Sequence, residues 1–167
     1  MTKSARLFLP LLAPGQAQKE ITHNEALAQL DIITQAVVQA VGVDVPPASP
    51  ALGECWIIGP SPEGSWSGMA QHLAGWTENG WRYVQPFIGL GVWTVDEGMF
   101  ARWDGGAWVT GIVSAAAISI GGEQIIGSRQ PAIANPEGGG TADVEARTAI
   151  GSILDAMRAH GLIDEPV

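Results

Sequence analysis

The sequence predicts an α+β fold: a helix near each end and, between them, a Trp-rich antiparallel β domain built from a diverged strand-plus-hairpin repeat. Three observations predict it. Residues 21–42 are apolar at helical spacing, residues 53–120 break into short strand-like runs between turn signals, and residues 141–162 return to a helical pattern behind a glycine run. Five regions follow: an extended segment (1–20), an N-terminal helix (21–45), the β domain (46–120), an extended arm with a Gly-rich linker (121–140), and a C-terminal helix (141–167).

The first segment opens MTKSARLFLPLLAPG, basic residues and then an apolar run, as an export signal would. Pro10 interrupts that run, and residues 15–19 offer no small-residue cleavage pattern. The segment is therefore expected to stay on the chain as an extended apolar peptide whose Leu7, Phe8, Leu9, Leu11 and Leu12 lie against a partner. In the following helix Thr22 is placed to cap the start, with Glu25 at capping-box spacing, and Gly42 to end it. Ala26, Leu30, Ile33, Val37 and Ala40 repeat at intervals of four and three, a narrow heptad seam. A helix this apolar must pack on the rest of the chain or on copies of itself.

PPASPALG (46–53) is a Pro-rich connector. Beyond it the strands read ECWIIG, HLAGW, WRYVQP, GVWTVD, MFARW, AWVTGIV and AAISI. Asn79-Gly80 in WTENGW is a tight-turn signal, and Asp104 with two glycines in WDGGAW serves the second hairpin. Each turn is flanked by Trp at the same separation, Trp76 with Trp81 and Trp103 with Trp108, and each hairpin follows another Trp-bearing strand. This is the internal repeat. Its first copy carries an extra loop, GPSPEGSWSGM, holding Trp66. In the C-terminal helix Thr141 or Asp143 is placed to cap the start and Gly161 to take the left-handed position after the end, with Leu162 folding back as the hydrophobic contact. Val144, Ile150, Ile153, Leu154 and Met157 form its apolar stripe.

A net charge of -9, with eight Lys and Arg scattered singly, argues against nucleic-acid and anionic-membrane binding. The single Cys55 allows no intramolecular disulfide framework, and its GECWIIG context reads as a buried strand. No apolar run is long enough to span a bilayer, and no metal or cofactor motif is present. GSWSG has Trp66 where a nucleophile elbow needs Ser, GLG (89–91) lacks the rest of a dinucleotide fingerprint, and His23, His72 and His160 fall in separate regions. Adjacent Asp96 and Glu97 read as a solvated turn, not as the facing carboxylates of a glycosidase. No catalytic residue is expected. The tryptophans are the one constellation suited to a ligand, since indole faces stack on sugar rings. Trp66, Trp76, Trp81, Trp103 and Trp108 are therefore candidate glycan contacts, weighed against the ordinary role of aromatics in a small core. Trp66 in its loop is the leading candidate.

LPLLAPGQAQK (9–19), THNEAL (22–27), PPASPALG and WDGGAW occur in an order that resembles a family of phage tail-fibre-like proteins, a domain of unknown function found in alphaproteobacterial prophages and gene transfer agents. The resemblance covers about residues 5–111, and the tail from Ser128 resembles the ends of such fibres. It implies a virion structural protein without enzymatic activity, made in the bacterial cytoplasm and placed at the tail. An intertwined homotrimer is expected, docking on other tail or baseplate proteins and contributing to attachment at host surface polysaccharide. Leu30, Ile33 and Val37, with Ile150, Ile153, Leu154 and Met157, would then line the oligomer contacts.

Overall fold

The computed structural model describes residues 2–15, 19–141 and 143–166. Two helices and three small sheets give the α+β fold in two compact units, residues 2–112 and 113–166. Of the expected N-terminal docking segment, residues 1 and 16–18 lie outside the described residues.

In the first unit α1 runs Lys19–Ile33, so Thr22 and Glu25 sit within it and form no capping box. The helix also stops well short of Gly42. Gln35 takes the left-handed conformation (φ 48°) that usually falls to glycine after a helix end, and the chain then forms two short strands, β1 (Val37–Val38) and β2 (Val41–Val43). The four valines explain the difference: β-branched side chains lose rotamer freedom in a helix and fit the pleated surface of a sheet. The expected seam is thereby divided, with Leu30 exposed on the helix, Ile33 half-buried and Val37 on a strand.

The repeat forms two four-stranded sheets. β3 (Cys55–Ile58), β4 (Leu73–Thr77) and β5 (Gly80–Val84) make the first meander, and β6 (Gly91–Thr94), β7 (Met99–Trp103) and β8 (Trp108–Thr110) the second. Each is completed by one valine strand in parallel, β2 beside β3 and β1 beside β6, so the 37–43 segment stitches the two sheets together. Trp76 pairs directly with Trp81, and Trp103 with Trp108. The main core lies between the sheets. Cys55, Ile57 and Leu73 from the first meet Val92 and Ala101 from the second, with Val38 and Ile32 closing the sides. Gly75 belongs to this packing: a Cβ there would stand 2.6 Å from the Ile32 side chain, so only glycine lets the helix lie this close.

The second unit begins with a hairpin, β9 (Ile118–Ile120) and β10 (Glu123–Ile126), turned by Gly121 and Gly122 at positive φ. The expected extended arm therefore starts with a strand. Helix α2 spans Val144–Ala159, capped by the Asp143 carboxylate, which accepts the Ala146 N–H at 2.8 Å. Gly161 (φ 68°) closes it: the Leu162 N–H reaches the Met157 carbonyl and the Gly161 N–H the Arg158 carbonyl. The buried residue after this turn is Ile163, not Leu162, because Ile163 bridges in parallel to Gln130 of the arm. Three arginines lash the arm to the helix. Arg147 donates to the Pro136 and Gly138 carbonyls, Arg158 to Ile133, and Arg129 to Gly161.

Candidate functional site

The N-terminal segment is folded back on its own helix. Residues 3 and 10 bridge as a short antiparallel loop, with the Ser4 N–H bound to the Leu9 carbonyl and the Leu11 N–H to that of Thr2. Asp31, only 3% exposed in the last turn of α1, is its anchor. Its carboxylate accepts the Ser4 hydroxyl at 2.7 Å, the Arg6 N–H at 2.9 Å and the Leu7 N–H at 2.6 Å. Arg6 supplies the reciprocal contact. Its guanidinium donates to the carbonyls of Asp31, Ile32 and Gln35, groups that a helix end leaves without intrahelical partners and that carry the negative end of the helix dipole. One turn or more earlier, the Asn24 side-chain amide pairs with both the N–H and the carbonyl of Leu12, as a neighbouring strand would.

Two residues of THNEAL thus acquire jobs. Asn24 holds the arm, while Glu25 pairs with Arg82 of β5 at 2.5 Å and ties the helix to the first sheet. The arm presents what it does not use. Leu7 is exposed, and Phe8 is 66% exposed and held at φ 56°, a left-handed conformation uncommon for a bulky residue. Leu9, Leu11 and Leu12 are half-buried.

A cleft of about 390 Å³ lies beneath the arm, between α1 and the β4–β5 turn, lined by Lys3, Leu12, Glu20, Asn24, Glu78 and Arg82 among others. Its polar groups are carboxylates, amides, hydroxyls and single cations; the Ser4 hydroxyl that meets the Asp31 carboxylate there is buried and also accepts the Leu9 N–H, as part of the arm's anchor. Asp96 and Glu97 are elsewhere, exposed in the β6–β7 turn, where Asp96 accepts the Glu97 N–H. Among the described residues, no group of three His, Cys, Asp or Glu is placed to hold a metal ion, and no helix is long and apolar enough to cross a membrane.

The tryptophans divide differently from expectation. Trp66, the leading glycan candidate, is 0% exposed. Its loop folds over the first sheet and inserts the ring against Trp56 and Trp81, with centroids at 6.3 and 5.1 Å, while the Tyr83 hydroxyl pins the loop through the Ser65 carbonyl. The buried indole N–H has no acceptor among the described residues, a cost of about 1–3 kcal/mol. Removing about 250 Å² of aromatic surface from water at about 25 cal/mol per Å² contributes roughly twice the upper end of that, which decides in favour of burial. Trp66 cannot stack on a sugar without opening this cluster. Trp76, Trp81, Trp103 and Trp108 are half-buried, each pair tilted or edge-to-face across its hairpin.

Sequence reasoning missed the exposed aromatic pair, Trp93 and Phe100, on the outer face of the second sheet. Strand register could have signalled it. Trp56 stands opposite Ala74, whereas Val92 stands opposite the equivalent Ala101, so Trp93 is one residue out of step with Trp56 and points to the other face. In the second unit Leu154 is buried, Met157 half-buried, and Ile150 and Ile153 are exposed.

Cys55 is buried, and burial pushes its thiol up to about 11, as expected of a structural cysteine. No curated protein matches the chain. A family model described as a protein of unknown function, DUF2793, matches residues 23–109, from the arm-holding helix through the second hairpin, and so covers just over half of the sequence. The chain belongs to this DUF2793 family.

Proposed function

We propose that the chain is a structural component of a phage-type tail, a short fibre or tail-tip adaptor without enzymatic activity, assembled as a homotrimer and docked through its N-terminal arm. The observation that carries the self-assembly is the lean core of the second unit. Among its described residues the buried hydrophobic ones are Leu154 and Ile163, while Ile118, Ile120, Ile125, Ile126, Val144, Ile150 and Ile153 remain exposed. A unit of about 55 residues is marginal even with a full core, and copies of itself are the simplest source of the missing apolar contact. Ile150, Ile153 and Met157 recur at intervals of three and four along α2, the spacing of a self-associating helix seam.

The arm supports the docking role in a modified form. It is a preformed loop with Phe8 at its tip, so less ordering entropy is lost on binding than with a free peptide. The test is native mass by light scattering on the whole chain, with labelling of purified particles. Three chain masses and a signal at the tail are expected; a monomer overturns the assembly. Removing residues 1–20 would strip Asp31 of its donors, so Phe8→Ala is the better docking probe. That variant should keep the wild-type mass and fail to join the tail.

Glycan binding by exposed tryptophan is the second reading. The exposed edges of the Trp76–Trp81 and Trp103–Trp108 pairs favour it, and unchanged binding of host polysaccharide after Trp76→Ala and Trp103→Ala would sink it. A depolymerase is the weakest reading, since Asp96 and Glu97 face solvent on a turn.

A further inference from the structure

The cleft beneath the arm carries more negative charge than positive. Four carboxylates line it, Glu20, Glu25, Asp31 and Glu78, against two cations, Lys3 and Arg82. Part of this charge is already engaged: Asp31 is held by three donors of the arm, and Glu25 pairs with Arg82. Glu20 is different. One of its oxygens accepts the Gly15 N–H at 3.2 Å, while the other is buried without a hydrogen-bond partner among the described residues. Lys3 does not supply the missing donor, since it is exposed and leaves that oxygen unpaired. A buried carboxylate oxygen without a donor is unfavourable, and the broad terminal torsion of glutamate can turn it toward a donor in the cleft. Leu11, Leu12, Pro14 and Ile21 add apolar wall, and a volume of about 390 Å³ falls at the lower end of the range for ligand pockets.

We propose that the cleft receives a lysine or arginine side chain from a neighbouring tail protein, its cation on Glu20 and its methylene stem along Leu11, Leu12 and Pro14. This names the chemistry of the partner in the docking reading above and rests on that reading. Charge complementarity selects the occupant. An apolar segment would leave the Glu20 oxygen unpaired, and an anion would meet an excess of carboxylates. A second copy of the chain is a poor source of the cation. Its net charge is -9, and of its eight Lys and Arg, Arg6, Arg82, Arg129, Arg147 and Arg158 are bound within the chain. A basic segment of a different protein meets both demands, and the arm that roofs the cleft is the element already placed for docking.

NMR on the isotopically labelled full-length chain tests this with the peptide acetyl-Leu-Arg-Leu-amide. The peptide should shift the Gly15 N–H and the Asn24 side-chain amide, which report on Glu20 and on the cleft wall. The citrulline analogue, close in shape but uncharged, should bind about tenfold more weakly, the loss of one charge-assisted hydrogen bond. Glu20→Gln should weaken the arginine peptide by a similar factor, whereas Glu97→Gln, in the exposed β6–β7 turn, should bind it as wild type does. The citrulline comparison uses the unaltered chain and so decides the matter even where Glu20→Gln loosens the arm. Equal binding of the two peptides, or no shift at about 10 mM arginine peptide, overturns the proposal. Unchanged binding by Glu20→Gln does the same. Spermidine that moves the same signals at lower concentration than the peptide makes a free polyamine the occupant and overturns the protein side chain. Absence of the chain from purified particles overturns the docking reading itself, and with it the tail as the source of the cation, whatever the peptide does.

Discussion

The first and second sheets have the same strand order, the same Trp-flanked hairpins and the same valine strand at one edge, yet they are buried differently. Helix α1 reaches the first sheet through Ile32, and an inserted loop seals its other face through Trp66. The second sheet has a four-residue turn where the first has that loop, and its outer face shows Trp93 and Phe100 to solvent. A repeat can thus keep its backbone while insertions decide which faces become core and which become surface.

The largest expected effect comes from breaking that seal. Trp66→Ala should cost about 3–5 kcal/mol, the range for emptying a buried aromatic site, and make the first sheet as open as the second. Denaturant unfolding followed by tryptophan fluorescence measures it; a loss under about 1 kcal/mol would mean that the loop does not seal the sheet. The arm comes next. Asp31→Ala leaves the Ser4 hydroxyl and the Arg6 and Leu7 N–H groups without their acceptor and should cost about 2–4 kcal/mol, with rapid proteolysis of the arm ahead of the β unit. Protection of the arm equal to wild type would refute the anchor. Gly75→Ala should cost about 1–3 kcal/mol by pushing Ile32 off the first sheet. The equivalent position in the second sheet carries Arg102, which no glycine requirement constrains.

The smallest effect separates the two turns. In the first hairpin the Thr77 hydroxyl bonds the Gly80 carbonyl, with no ionisable group in the contact. In the second, the exposed Asp104 accepts the Ala107 and Gly106 N–H groups, which hold its carboxyl below the usual range. A carboxyl lowered in the folded state stabilises at neutral pH and loses that contribution as pH falls through its folded pKa. Asp104→Ala should therefore slightly lower the melting temperature at pH 7 and make no difference at strongly acidic pH. An equal loss at both pH values would show that the contact is not electrostatic.

The strands were legible because Asn79-Gly80 and Asp104 with its glycines mark turns chemically, and each turn fixes the register of its flanking Trp residues. The valine strands were not, since Val37 and Ala40 happen to continue the three-four spacing of the preceding helix. Trp66 misled for a related reason: a loop residue reads as surface until the face beneath it is known. The polar anchor of the arm was invisible because Ser4 and Asp31 are 27 residues apart and neither stands out by type. What the sequence did show was where to look. LPLLAPGQAQK and THNEAL belong together because Asn24 holds Leu12.

Arg6 and Asp31 also impose an order of events on the chain. The arm is synthesised first, but its partners lie 24–29 residues later, and several are carbonyls that point outward only once α1 has formed its last turn. Helix completion must precede closure of the arm, so the apolar LFLPLLAPG stretch is displayed by the nascent chain until residue 35 is available. A copy whose helix frays would release the same stretch again, and the mobility of Phe8 reports directly on the integrity of α1.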